Sequence, residues 1–123
     1  MAARTTLPAD PASAATARRF VADVLLQRGF PDAGIDDAVL LTSEAVSFAV
    51  GFGGTGIALQ VEAGPRMGRV EVRVLDGADW SDGQLRARPP DGRWFVVIQA
   101  LAEACGVEVD GPDAGCIWFE VRG

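Results

Sequence analysis

The sequence predicts an α+β fold in which helices cover one face of a mostly antiparallel sheet, as a two-layer sandwich. Two segments repeat apolar residues with the period of an α-helix, and two later segments alternate apolar and polar residues with the period of a strand. The order helix, helix, strand, strand, helix, strand, strand is typical of such a sandwich. The chain has 123 residues, enough for one hydrophobic core, and we expect a single domain over residues 1–123.

The first two helices are predicted from their apolar faces. Residues 7–11 predict an extended or turning lead-in, and Ser13 is placed to cap a first helix that ends at Gly29. The residues that recur at helical spacing in it are Ala17, Phe20, Val21, Val24 and Leu25. A second helix is predicted from about Asp32 to Val50, with an apolar face formed by Ala38, Leu41, Ala45, Phe48 and Phe52.

Two strands follow the second helix. Residues 57–63 and 70–74 alternate in polarity, and the Gly-Pro-containing segment 64–68 between them predicts a hairpin-like connection. Because one face of each strand is polar, we expect an antiparallel pair that is covered on one side only.

The C-terminal part predicts one more helix and two more strands. A loop over residues 76–90 leads to a third helix from about Gly92 to Cys105, which Gly106 is placed to stop. The last two strands are predicted over residues 107–109 and 116–121.

Composition disfavours several function classes. The net charge of −6 opposes binding to nucleic acid and to anionic lipid. The chain contains no His, which excludes a His base, a phospho-accepting His and a His metal ligand.

Cys105 and Cys116 lack metal-ligand spacing, and we expect two reduced, mostly buried thiols in a cytoplasmic protein. Neither a secretory signal nor a membrane span is expected, since the N-terminus lacks a long apolar run and nowhere do about 18 apolar residues follow one another.

Several segments match a known family in order and spacing. Residues 40–50 look like a Ser-Glu-Leu-Val-Thr-Asn-Ala-Val helix, and residues 72–76 look like a strand that ends in an adenine-reading Asp. Residues 91–93 and 101–107 look like the Gly-Arg-Gly-Leu start and the Leu-Ala-x-x-Trp-Gly-Val end of the next helix. Together, over nearly the whole chain, they resemble the GHKL (Bergerat-fold) ATPases, above all the small bacterial anti-sigma factor and serine-protein kinase branch.

The resemblance also shows where this sequence departs from the family. It implies a Glu and an Asn one turn apart on the second helix, where the Glu orients or deprotonates the attacking group and the Asn ligates Mg²⁺. Glu44 occupies the first position and Phe48 the second. A phenyl ring offers no oxygen to Mg²⁺, so we expect the site to have lost its main protein ligand and Phe48 to serve packing.

The phosphate-facing glycines of the family are altered as well. Asp76 is kept and could accept a hydrogen bond from an adenine amino group, but Ala78 and Trp80 replace the two glycines that follow it. Gly92 and Arg93 are kept at the start of the third helix, where Trp94 replaces the second glycine. We therefore expect no metal and no cofactor, with Mg-ATP binding impaired or lost.

The resemblance implies a regulator that acts by binding a sigma factor, an anti-anti-sigma (STAS-type) protein or an identical subunit. Two alternatives remain. An active serine-protein kinase would use ATP, and Mg²⁺ if that alternative holds, with Glu44 as base. It would use an arginine of the presumed lid in place of the altered Mg site: Arg86, Arg88 or Arg93. The same arginines could instead contact acidic residues of a partner. A small-molecule sensor would use a remodelled pocket lined by Phe48, Trp80 and Trp94.

Overall fold

The computed structural model describes residues 2–51, 55–75, 98, 100–109 and 115–123. In this part of the chain, two helices and a five-stranded antiparallel sheet form two layers, which confirms the α+β prediction. The helices are α1 (Ser13–Gln27) and α2 (Asp32–Val50). The strands are β1 (Ala3–Pro8), β2 (Gly56–Ala63), β3 (Met67–Leu75), β4 (Ala104–Val109) and β5 (Gly115–Arg122), in the sheet order β1-β2-β3-β5-β4.

The hydrophobic core lies between the helices and one face of the sheet. Alternate residues of β2, β3 and β5 point into it, and its largest fully buried side chains are Phe119, Leu25, Leu41, Ile57, Leu59 and Ile117. The residues between them on the same strands are mostly polar, and most of them remain partly exposed. The prediction that the sheet is covered on one side is therefore confirmed for the described residues.

The first helix has the predicted apolar face and the predicted end. Ala17, Val21 and Leu25 are fully buried. Gly29 has a φ of 76°, and its N–H donates to the carbonyl of Leu26, while the N–H of Phe30 donates to the carbonyl of Leu25. These two bonds form a Schellman motif, in which glycine takes the left-handed conformation at no steric cost.

The predicted cap at the start of α1 is wrong. Ser13 is already the first helical residue, and its hydroxyl donates to the carbonyl of Pro8 at 2.7 Å. Asp10 takes the local role instead, because its carboxylate accepts from the N–H of Ala12 at 2.8 Å. The side chain of Ser13 therefore ties α1 to the end of β1 rather than to its own first turn.

Two strands differ from the predictions. Residues 7–8, expected as a lead-in, are the end of β1, an edge strand whose Leu7 pairs with Ile57 of β2. Cys105 and Gly106, expected at the end of the third helix, lie in β4, which begins at Ala104. The last helical residue is Leu101, so the third helix ends earlier than the predicted end at Cys105.

Two further expectations concern the burial of the cysteines and a membrane-spanning helix. Neither cysteine is in a disulfide, but only Cys116 is buried. The expectation that both are mostly buried is wrong for Cys105, which is exposed on β4. Among the described residues, neither helix combines the length and the apolar content that a membrane span needs.

Candidate functional site

The candidate site is built on a half-buried side of α2 near its C-terminal end. Glu44 and Phe48 lie four residues apart, which places their side chains one turn apart on the same face of the helix. Both are half-buried. The helix is held in place because Ala38, Ala45 and Ala49, on the adjacent side that faces the core, are fully buried.

Phe48 belongs to the apolar packing of the domain. Its ring is partly buried and contacts the hydrophobic core. The side-chain oxygens described on this turn of α2 are therefore the carboxylate of Glu44 and the hydroxyl of Ser47, since a phenyl ring carries none.

A hydrogen bond between the helices lies directly beside Glu44. Arg18 of α1 donates from a terminal guanidinium nitrogen to the hydroxyl of Ser43 at 2.9 Å, in a partly buried position. The sequence alone gives no sign of this bond, because only the packing of α1 on α2 brings the two residues together. A positive charge is thus held one residue from Glu44.

Thr42 is a polar residue on the buried side of α2. It is fully buried, and its hydroxyl has no hydrogen-bond partner. Its position four residues after Ala38, on the apolar face, would have predicted the burial, although not the missing partner. A buried hydroxyl without a partner is destabilising, so this turn carries a local cost in stability.

The end of β3, just before Asp76, is fixed to the chain that leaves α2. The N–H of Thr55 donates to the carbonyl of Leu75 at 2.9 Å, and Gly56 pairs with Leu75 in the sheet. Only residues 52–54 separate Thr55 from Gly51, the residue that follows α2. The structure therefore brings the strand that leads to Asp76 to the same end of the sandwich as the C-terminal end of α2.

The other predicted site residues lie outside the described residues, and their placement stays a prediction. They are Asp76, Ala78, Trp80, Arg86, Arg88, Gly92, Arg93 and Trp94. Of the third helix, Ile98 is buried in the core and Leu101 packs against it. Within the described ranges, no three His, Cys, Asp or Glu side chains come close enough to hold a metal ion.

The family of the chain follows from a comparison with protein-family models. Residues 7–120 match the model of the histidine kinase-like ATPase domain. The match spans most of the chain, and the chain belongs to this family, whose α+β sandwich is the fold described above. A comparison with curated proteins found no match.

Proposed function

We propose that this protein is an anti-sigma-factor-like regulator that acts by binding another protein, and that its Mg-ATP binding is impaired or lost. The observation that carries the proposal is the environment of Phe48. The ring packs against the core one turn beyond Glu44 on α2, where the resemblance implies a magnesium-binding amide.

The described donors on this turn of α2 do not fit Mg²⁺. The ion takes oxygen ligands in near-octahedral geometry and usually uses one or two protein carboxylates together with substrate phosphates. Glu44 supplies one carboxylate, and the next side chain on the same face, Phe48, supplies carbon only.

The sequence beyond the described residues supports the same conclusion. Ala78, Trp80 and Trp94 stand at positions where the resemblance implies glycine. Glycine allows the backbone to approach a phosphate closely, whereas an indole fills that space. With Phe48, these positions make four changes in one expected pocket. They support a fold that is retained for a purpose other than nucleotide chemistry.

By resemblance, the partner would be a sigma factor or an anti-anti-sigma (STAS-type) protein, with an identical subunit as a further possibility. The acidic chain, with a net charge of −6, favours a protein partner over nucleic acid. Because no nucleotide is needed in this proposal, the complex should form equally well with and without Mg-ATP.

Isothermal titration with Mg-ATP tests the proposal directly. We expect no saturable heat up to millimolar nucleotide, and the same result with Mg-ADP. Size-exclusion chromatography with a candidate sigma factor then compares complex formation in the presence and absence of nucleotide. Micromolar binding that requires Mg²⁺ would overturn the proposal.

An active serine-protein kinase is the second candidate, and the half-exposed position of Glu44 favours it. A base must be accessible, and full burial of this carboxylate would have ruled it out. Transfer of labelled phosphate from ATP to a STAS-type partner, abolished in Glu44→Ala and retained in Asp36→Ala, would establish the kinase. Asp36 serves as control because it is an exposed acid two turns earlier on the same helix.

A further inference from the structure

The outer side of the helical layer, away from the sheet, carries two exposed leucines. Leu26 of α1 is 63% exposed and Leu40 of α2 is 40% exposed, and they are two of the three large hydrophobic residues exposed in the described part of the chain. Leu40 lies one turn before Ser43, which accepts the hydrogen bond from Arg18, so it stands beside α1. Single exposed leucines are common on soluble proteins, and the leucines alone do not indicate a partner.

Two opposite charges lie one turn apart on the outer side of α1. Ala17, Val21 and Leu25 face the core, and Arg19 and Asp23 are exposed on the opposite side of the helix. Residues four apart on a helix are neighbours, yet these two side chains do not pair with each other. Within the described residues, neither has any other ion pair or hydrogen bond. Both charges are therefore available to a second molecule.

We propose that this surface of α1 binds a second copy of the chain, with the two α1 helices antiparallel about a two-fold axis. In such a pair, Arg19 of each copy lies opposite the partner's Asp23, so the same ion pair forms twice. Parallel helices about a two-fold axis would place each charge opposite its own copy and repel. The charge pattern therefore favours an identical, antiparallel partner.

The same arrangement covers the exposed apolar residue of α1. Ala15, Arg19, Ala22 and Leu26 form one row along the helix, at spacings of four, three and four residues. Because the partner helix runs in the opposite direction, Leu26 lies beside the first turn of the partner's α1. The small side chain of the partner's Ala15 leaves room for it there. Leu40, on the neighbouring helix, stands at the rim of the contact.

The contact is small, and we expect a weak dimer. The 15 residues of α1 give a helix about 22 Å long, at about 1.5 Å per residue. A contact along one such helix buries less than the roughly 800 Å² per partner of a standard interface. The net charge of −6 on each copy adds repulsion. We expect a dissociation constant on the order of 100 μM. The inference goes beyond the proposed function, which requires a bound protein but does not say where it binds.

Analytical ultracentrifugation of the full chain, up to millimolar concentration, tests the inference. We expect a reversible dimer. Arg19→Asp and Asp23→Arg should each weaken it at least about tenfold, because the two-fold axis turns two attractive pairs into two repulsive ones. An equimolar mixture of the two variants should form a heterodimer, since opposite charges again face each other at both positions.

The control for net charge is Arg66→Asp. It makes the same change in charge as Arg19→Asp, in the exposed turn between β2 and β3, and should dimerise like the wild type. Leu26→Gln should also weaken the dimer, whereas Val107→Thr, at an exposed apolar residue of β4, should not. Thermal melts at concentrations where the wild type is monomeric report whether each variant keeps its fold.

Three results would overturn the inference. They are a monomeric wild type at millimolar concentration, equal dimer stability in Arg19→Asp and Arg66→Asp, and no association in the mixture of Arg19→Asp and Asp23→Arg. If the chain is monomeric and Leu26→Gln abolishes its complex with a sigma factor, the surface binds a different protein and the dimer proposal is wrong. A Mg-ATP titration reports on the nucleotide site alone, so this inference and the proposed function fail separately.

Discussion

The indole of Trp118 lies over the backbone of Gly106, its partner in the register between β5 and β4. A Cβ at Gly106 would come within 2.7 Å of the indole Nε1 and within 2.8 Å of two further ring carbons. On the same open face, the guanidinium carbon of Arg69 sits 4.2 Å from the centre of the Trp118 ring. Glycine is therefore required at position 106 by close approach of a ring, and not as the stop of a helix.

Gly106→Ala is expected to destabilise the fold by about 1–3 kcal/mol, because the ring must leave its place over the strand and lose its contact with Arg69. Urea unfolding measures the change. Gly64→Ala is the matched control, since a Cβ there meets a single atom, the carbonyl oxygen of Met67, at 4.0 Å. It should change stability by less than about 0.5 kcal/mol. Equal effects of the two substitutions would contradict this account of Trp118.

Thr42→Val is expected to stabilise the protein by about 1 kcal/mol. Valine has nearly the shape of threonine and removes a fully buried hydroxyl that has no partner. Thr16→Val makes the same exchange at an exposed position of α1 and controls for helix propensity. Differential scanning calorimetry should show a higher Tm for the first variant alone. A lower Tm for Thr42→Val would mean that the hydroxyl is satisfied in solution.

Phe48→Asn places the amide that the resemblance implies at this turn of α2. Because the ring is only half-buried, we expect a loss of about 1–2 kcal/mol in the free energy of unfolding, below the range for a fully buried Phe. We expect no recovery of Mg-ATP binding, since Ala78, Trp80 and Trp94 are unchanged. Phe48→Leu keeps apolar contact and should cost less than Phe48→Asn. Calorimetric titration that detects Mg-ATP in the Asn variant would show that this position alone closes the site.

Gly34 of α2 is packed against the ring of Phe30, which is buried between α2, β3 and the end of the chain. A Cβ at Gly34 would lie 2.9 Å from the Phe30 Cδ2 and 3.0 Å from the carbonyl oxygen of Arg122. Alanine gains helix propensity over glycine by about 1 kcal/mol. Even so, we expect Gly34→Ala to destabilise the domain, since the gain is outweighed by overpacking against a ring and a backbone atom.

A double-mutant cycle separates the two sources of strain at Gly34. Phe30→Leu removes the ring edge, so the pair of substitutions should cost less than the sum of the single changes, by at least about 0.5 kcal/mol. Strict additivity, measured by urea unfolding, would show that Phe30 is not what limits position 34.

The two thiols should differ in reactivity. Cys105 is exposed on β4, and Cys116 is fully buried. Under native conditions, iodoacetamide should modify Cys105 and leave Cys116 unmodified, and both should react in denaturant. Peptide mass spectrometry identifies the labelled residue, with Cys105→Ser as the control for site assignment. Fast labelling of Cys116 in the folded protein would place that strand differently from the structure.

Local patterns in the sequence were sufficient for most of the fold. The bounds of α2 and the β2–β3 hairpin follow from periodicity, because an element that buries one face must repeat its apolar residues with its own period. Gly29 predicted the end of α1 for a similarly local reason, since few other residues adopt the positive φ that this position has. The order of the elements, with the matched motifs, was enough for the family.

Tertiary contacts decided what the patterns left open. Leu7 is in a strand because β2 offers an edge to pair with, and Gly106 is in a strand because it pairs with Trp118 of β5. The hydrogen bond between Arg18 and Ser43 depends on how α1 and α2 pack, which no single segment encodes. The same holds for the hydroxyl of Thr42, which is buried without a hydrogen-bond partner. A groove lined by Arg4, Ala58 and Arg73 joins β1 to the β2–β3 hairpin, from which both helices separate β1 in the chain, so only the register of the assembled sheet creates it.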